Sequence, residues 1–178
     1  MKKWIQTLIL FLSGLIFGCA QDPPDTLPAI EAPAFNEKLL SLLSFSAPLM
    51  GVDDLNKKME EENWLLLDAR EWEEYEVSHI PGARFSGYNK FSIDEWSDLS
   101  KDQPIVVYCS VGYRSEKITQ KFEKQGFTRV YNLYGSIFEW VNRGYPLEDI
   151  DGQPTQSIHT YNKNWSRWVN NKKAQKVW

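Results

Sequence analysis

Apolar and polar positions along this chain alternate with two different periods. An apolar run from Trp4 to Phe17, broken only by Gln6, Thr7, Ser13 and Gly14, follows Lys2 and Lys3. Further on, "NEKLLSLLSF" sets Leu39, Leu42 and Leu43 at i, i+3 and i+4 and predicts a helix, with Asn36 as its cap. Asp53 is placed to cap a second helix over residues 55–62. "WLLLDA" then predicts a short strand, "REWEEYEVSH" a helix, "IVVY" a strand, "SEKITQKFEKQG" a helix ending at Gly126, "RVYNL" a strand and "SIFEWVNRG" a helix ending at Gly144. Strands that alternate with helices imply a parallel α/β sheet, and such sheets bind ligands beyond the carboxyl ends of their strands. Cys109 follows directly on the strand "IVVY" and stands at that address.

Composition narrows the possibilities. With 178 residues, 42% of them hydrophobic and 25% charged, the chain suffices for one core with extensions. Two cysteines and two histidines make neither a disulfide framework nor a Cys/His zinc site, so no metal is implied. No internal repeat, phosphate-binding glycine loop or strongly basic face points to nucleotide chemistry or nucleic acid.

The two ends read differently from the middle. Residues 1–18 follow the charged-then-apolar plan of a secretory signal and are short for a membrane span. The run closes on "IFGC", which resembles the lipobox of bacterial lipoproteins. That resemblance implies a lipid on Cys19, a membrane as partner, and an exported protein anchored in the cell envelope, facing the periplasm or the outer surface. An uncleaved signal anchor is the alternative. Pro23, Pro24, Pro28 and Pro33 among acidic residues predict an extended tether, so residues 19–47 are expected to form a tether and a short docking helix. A globular domain is expected over 48–149 and a basic, Trp-containing extension over 150–178. From Gly152 onward the extension holds Lys163, Arg167, Lys172, Lys173 and Lys176 and no acidic residue, with Trp165, Trp168 and Val169 at helical spacing. The net charge is −4, and it becomes −11 over residues 19–151 when the signal and this tail are set aside. A tail folded back on its acidic domain is the preferred reading, and contact with anionic lipid the alternative.

Cys109 carries the candidate chemistry. Six residues, Cys109 to Arg114, join the strand to a helix expected to start near Ser115, and Gly112 frees the middle of that loop from Cβ constraints. Inward-pointing N–H groups and the positive end of the helix make an anion-binding bowl around the sulfur. Such surroundings lower a cysteine pKa from ~8.5 into a range of about 3.5 to 7.5 and make it a nucleophile. Ser110, Val111, Gly112, Tyr113, Arg114 and Ser115 are the candidate substrate-binding residues. Arg114 either grips an anionic substrate, the reading adopted here, or pairs with an Asp or Glu elsewhere. Asp68 and Arg70 are expected to brace the sheet end, and His79 to be structural.

The stretches "LLLDAREWEEYEVSHIPGA", "IVVYCSVGYRSEK" and "GFTRVYNLYGSIFEWVNRGYPL" together resemble the rhodanese family of sulfurtransferases, in order and over about residues 48–148. Ser78 and Ser136 stand where that family commonly has glycine, both outside the cysteine loop. The resemblance implies a five-stranded, mainly parallel sheet with helices on both faces, and a two-step transfer without a cofactor. Thiolate Cys109 takes sulfane sulfur from thiosulfate or a similar small-molecule donor, and the persulfide passes it to cyanide or a thiol acceptor. Two other classes stay open: a binding module that turns nothing over, and a phosphatase or arsenate reductase of the same fold. The latter loop has five residues between cysteine and arginine, whereas this chain has four, Ser110 to Tyr113.

Overall fold

A computed structural model of the chain describes residues 22–61, 63–170 and 172–178. The signal segment and Cys19 lie outside the described residues. In chain order the elements are α1 (Pro33–Leu42), β1 (Leu49–Met50), α2 (Val52–Glu61), β2 (Leu65–Asp68), α3 (Trp72–Val77), β3 (Arg84–Phe85), β4 (Ile105–Tyr108), α4 (Tyr113–Lys124), β5 (Val130–Leu133), α5 (Ser136–Asn142), β6 (Leu147–Glu148), β7 (Pro154–Thr155), β8 (Ser157–His159) and β9 (Gln175–Val177). Single 3₁₀ turns occupy Ile93–Trp96 and Ser166–Trp168.

Five strands form a parallel sheet in the order β1-β5-β4-β2-β3. Its centre is β4, whose four residues are all buried, as a run of Ile and Val covered on both faces requires. Side chains alternate across it. Val106 and Tyr108 join Leu66 and Leu133 in a core shared with Phe35 and Leu39 of α1, Val52 and Leu55 of α2, and Ile137 and Phe138 of α5. Ile105 and Val107 face the other way, onto Ile118 and Phe122 of α4 and onto Trp96. Helices therefore cover both faces of the sheet.

Several local expectations shift. β1 and β3 have two residues each, too few to show a period, and escape sequence reading. Helix α1 begins after Ala32 with Pro33 at its first position, so Asn36 lies inside it and accepts a hydrogen bond from Tyr134 Oη at 2.7 Å instead of capping. Asp53 sits in the first turn of α2, where its carboxylate accepts from Tyr145 Oη at 2.8 Å. Part of the segment expected as a tether lies on the domain: Leu27 and Ile30 pack against the core, and the Glu31 N–H donates to Glu139 Oε1 at 2.7 Å. Apolar side chains between the prolines account for that docking.

The C-terminal segment also folds against the domain, though not as a helix. Strand β7 pairs antiparallel with β6, and β8 pairs parallel with β9. The connection between β8 and β9 carries the Ser166–Trp168 turn, in which Trp168 stacks on Phe35 of α1 at 5.6 Å between ring centroids. Ile158 and Val169 are buried in the main core.

Candidate active site

Strand β4 delivers Cys109 to the carboxyl edge of the sheet, and the chain turns through Ser110 and Val111 to Gly112. Gly112 has φ +115, a conformation that L side chains rarely adopt, and it serves as the cap of α4. The helix thus starts at Tyr113, two residues earlier than expected, because the turn at Gly112 already ends the loop. The start of α4 points at the sulfur. The Gly112 N–H donates to Cys109 Sγ at 3.2 Å, and the Ser115 hydroxyl lies 3.6 Å from it while donating to Asn132 Oδ1 at 2.7 Å. Burial alone pushes the Cys109 thiol up. The Arg114 charge, the Ser115 amide and hydroxyl and the Gly112 amide outweigh it and hold the pKa below the ordinary thiol value.

The loop is fastened from two sides. Asn132 of β5 donates through Nδ2 to the Gly112 carbonyl at 3.0 Å. From the start of α5, Ser136 Oγ accepts the Cys109 N–H at 3.1 Å and donates to the Leu133 carbonyl at 3.0 Å. Ile137 and Phe138 N–H donate to the Cys109 and Ser110 carbonyls at 3.2 Å each. Ser136 has φ +52, which explains why glycine suits this position. Although outside the loop in sequence, Ser136 touches the cysteine backbone, a contact that sequence reading missed.

Arg114 is committed elsewhere than expected. Its Nη1 donates to Glu74 Oε2 at 2.6 Å and its Nη2 to Glu74 Oε1 at 2.8 Å and Ser110 Oγ at 2.9 Å. Ser110 Oγ in turn donates to Glu74 Oε1 at 3.0 Å. Burial pushes Glu74 up, but its hydrogen bonds and charge contact with Arg114 hold it below the ordinary carboxylate value. These contacts fit the alternative role of Arg114, a brace on an acidic partner. Glu74 lies 40 residues away in sequence, among other acids on α3, and nothing local singles it out.

Asp68 and Arg70 form a buried pair at 2.7 Å, and Arg70 Nη2 also donates to the Ser78 carbonyl, tying the end of β2 to the end of α3. His79 stacks on Tyr75 at 4.0 Å and meets Glu148 Oε1 at 3.3 Å, as a structural histidine does.

A cavity of about 340 Å³ opens over the cysteine. Cys109, Ser110, Val111, Tyr113 and Arg114 line it, together with Leu42, Tyr88, Tyr161 and Trp165. Gly112 and Ser115 serve the sulfur from the helix side. Cys109 itself is 1% exposed, so the sulfur forms the floor.

The profile of the rhodanese-like domain matches residues 51–143, just over half of the chain. The chain belongs to the rhodanese-like domain family. Among relatives, the putative sulfur carrier protein YrkF of Bacillus subtilis is 30% identical over 99 residues, covering 55% of this chain and 53% of that protein. The tRNA uridine(34) hydroxylase of Bdellovibrio bacteriovorus is 29% identical over 103 residues, 55% of this chain but 29% of the hydroxylase. The chain therefore spans about half or less of these curated relatives. The solved rhodanese-like domain of an Anabaena protein superposes with a TM-score of 0.54 at 27% identity, covering 58% of this chain and 80% of that one. Leu42, Tyr161 and Trp165 lie outside the rhodanese-like match and still line the cavity.

Proposed function

We propose that this rhodanese-like protein is a sulfurtransferase working through a persulfide on Cys109. The observation that carries the reading is the buried sulfur at the start of α4, which accepts the Gly112 N–H and whose pKa the surrounding amides and Arg114 hold below the ordinary thiol value. The Cys109 thiolate attacks the outer sulfur of thiosulfate or a similar sulfane donor. An S–S bond forms to cysteine as the donor's own S–S bond breaks, and sulfite leaves with the electron pair. The N–H groups of the loop hold the persulfide's charge. An acceptor thiolate, or cyanide, then attacks the terminal sulfur and releases Cys109 as thiolate. The four-residue spacing to Arg114 and the commitment of that guanidinium to Glu74 disfavour the phosphatase reading, which needs the arginine on the oxyanion. The apolar run and Cys19 support a place for this activity in the cell envelope.

The test is mass spectrometry of the purified chain after thiosulfate treatment. One added sulfur on Cys109 is expected, removed by cyanide, and absent in Cys109→Ser. An unmodified Cys109 would leave a binding module as the better account.

A further inference from the structure

We infer that the cavity over Cys109 selects, as sulfur acceptor, an uncharged organic thiol with an apolar or aromatic body, seated against Tyr161 and Trp165 of the C-terminal segment; the inference rests on the persulfide reading above. Its walls are Leu42 from α1, Tyr88, Val111 and Tyr113 from the domain, and Tyr161 and Trp165 from the β8–β9 connection. At about 340 Å³ the space is at the small end of the range of about 300 to 1,000 Å³ for organic ligands, and far exceeds what cyanide needs. Above the amide-lined floor that takes the donor, its walls offer an anionic body little to hold. Arg114 is the one cation on the described lining, and both its terminal nitrogens are held by Glu74, while its guanidinium lies 5.6 Å from the Tyr161 ring centroid. Glu71 brings a carboxylate to the same lining, and the persulfide adds negative charge at the floor.

The two aromatic side chains are held for this purpose. Tyr161, 55% exposed and at φ +64, is fixed by its N–H donating to His159 Nδ1 at 3.1 Å. Trp165 packs against the main core, with the Lys38 ammonium 5.7 Å from its ring centroid. An exposed ring held in a costly backbone conformation beside a nucleophile is a binding wall rather than a packing element. The transfer balances without a redox partner: the acceptor loses its thiol proton to solvent, its thiolate takes the terminal sulfur, the Cys109 S–S bond breaks, and an organic persulfide leaves.

The experiment loads the full chain with thiosulfate, confirms the added sulfur by mass, removes excess donor, and times discharge to benzyl mercaptan and to 3-mercaptopropionate. For the parent, kcat/KM for benzyl mercaptan should exceed that for the anionic thiol by at least about tenfold. The ratio should fall towards unity in Tyr161→Ala and in Trp165→Ala, and Tyr161→Phe, which keeps the ring, should restore it. Tyr161 is exposed enough for its truncation to leave the fold intact, so the inference does not hang on Trp165. A loaded parent with equal rates for the two thiols, or a ratio unmoved by Tyr161→Ala, overturns the inference alone. Absence of loading overturns the sulfurtransferase reading and the inference with it.

Discussion

The proposed transfer requires Cys109 to react as a thiolate, so its surroundings should be visible in a pH profile. Alkylation by iodoacetamide falls as pH drops through the folded pKa, and its midpoint should lie below the ~8.5 of a free cysteine. Arg114→Ala should move that midpoint up, because the lost guanidinium charge is among the influences that favour thiolate. The same substitution leaves the carboxylate of Glu74 buried without its partner, which costs on the order of 3 kcal/mol measured by urea unfolding. A lowered kcat with little change in KM for thiosulfate should accompany it. A large rise in KM at unchanged stability would return Arg114 to the substrate. The cysteine, Gly112 and their neighbours were legible in the sequence, because a strand end, a glycine and a helix start are local signals. The partner of Arg114 was not, since ion pairing is decided by the folding of α3 against α4.

The cysteine loop hangs between helix starts. Residues from α4 bind the sulfur, and residues from α5 bind the backbone that carries it. Ser136→Ala should therefore act on catalysis from outside the loop. It leaves the buried Cys109 N–H without its acceptor, for a loss of about 1 to 3 kcal/mol in unfolding, and slows sulfur loading by thiosulfate. Loading at the parental rate in that variant would show that the α5 contact holds the fold only. Long apolar runs such as Ile105–Tyr108 and the helical spacing of α4 were readable because each repeats its period often enough. Strands of two residues and the early start of α4 were not, the former because they repeat nothing, the latter because the cap is a glycine at positive φ and carries no capping side chain to read.

At the scale of the whole molecule, segments on either side of the rhodanese-like match meet each other over one face. Phe35 of α1 lies on Trp168, and Leu42, Tyr161 and Trp165 share the cavity. The tail's basic charge suggested a return to the domain, but its tryptophans resemble helix spacing and form a 3₁₀ turn between two parallel strands instead. Truncation at Gly152 uncovers the sites of Ile158 and Val169. At about 2 kcal/mol for each buried side chain, the melting temperature should fall by at least about 8 °C. An unchanged melting temperature would mean that the segment is not part of the folded unit. The β8–β9 pair has consequences in time as well as in shape. Two three-residue strands with no further partners in the described sheets are held far less firmly than β4, which is paired on both edges. Amide hydrogens of Gln175–Val177 should exchange with solvent orders of magnitude faster than those of Ile105–Tyr108. Opening of this pair would release the aromatic wall while the cysteine loop keeps its hydrogen bonds to the starts of α4 and α5, so the mouth of the cavity and its floor are governed by separate parts of the fold.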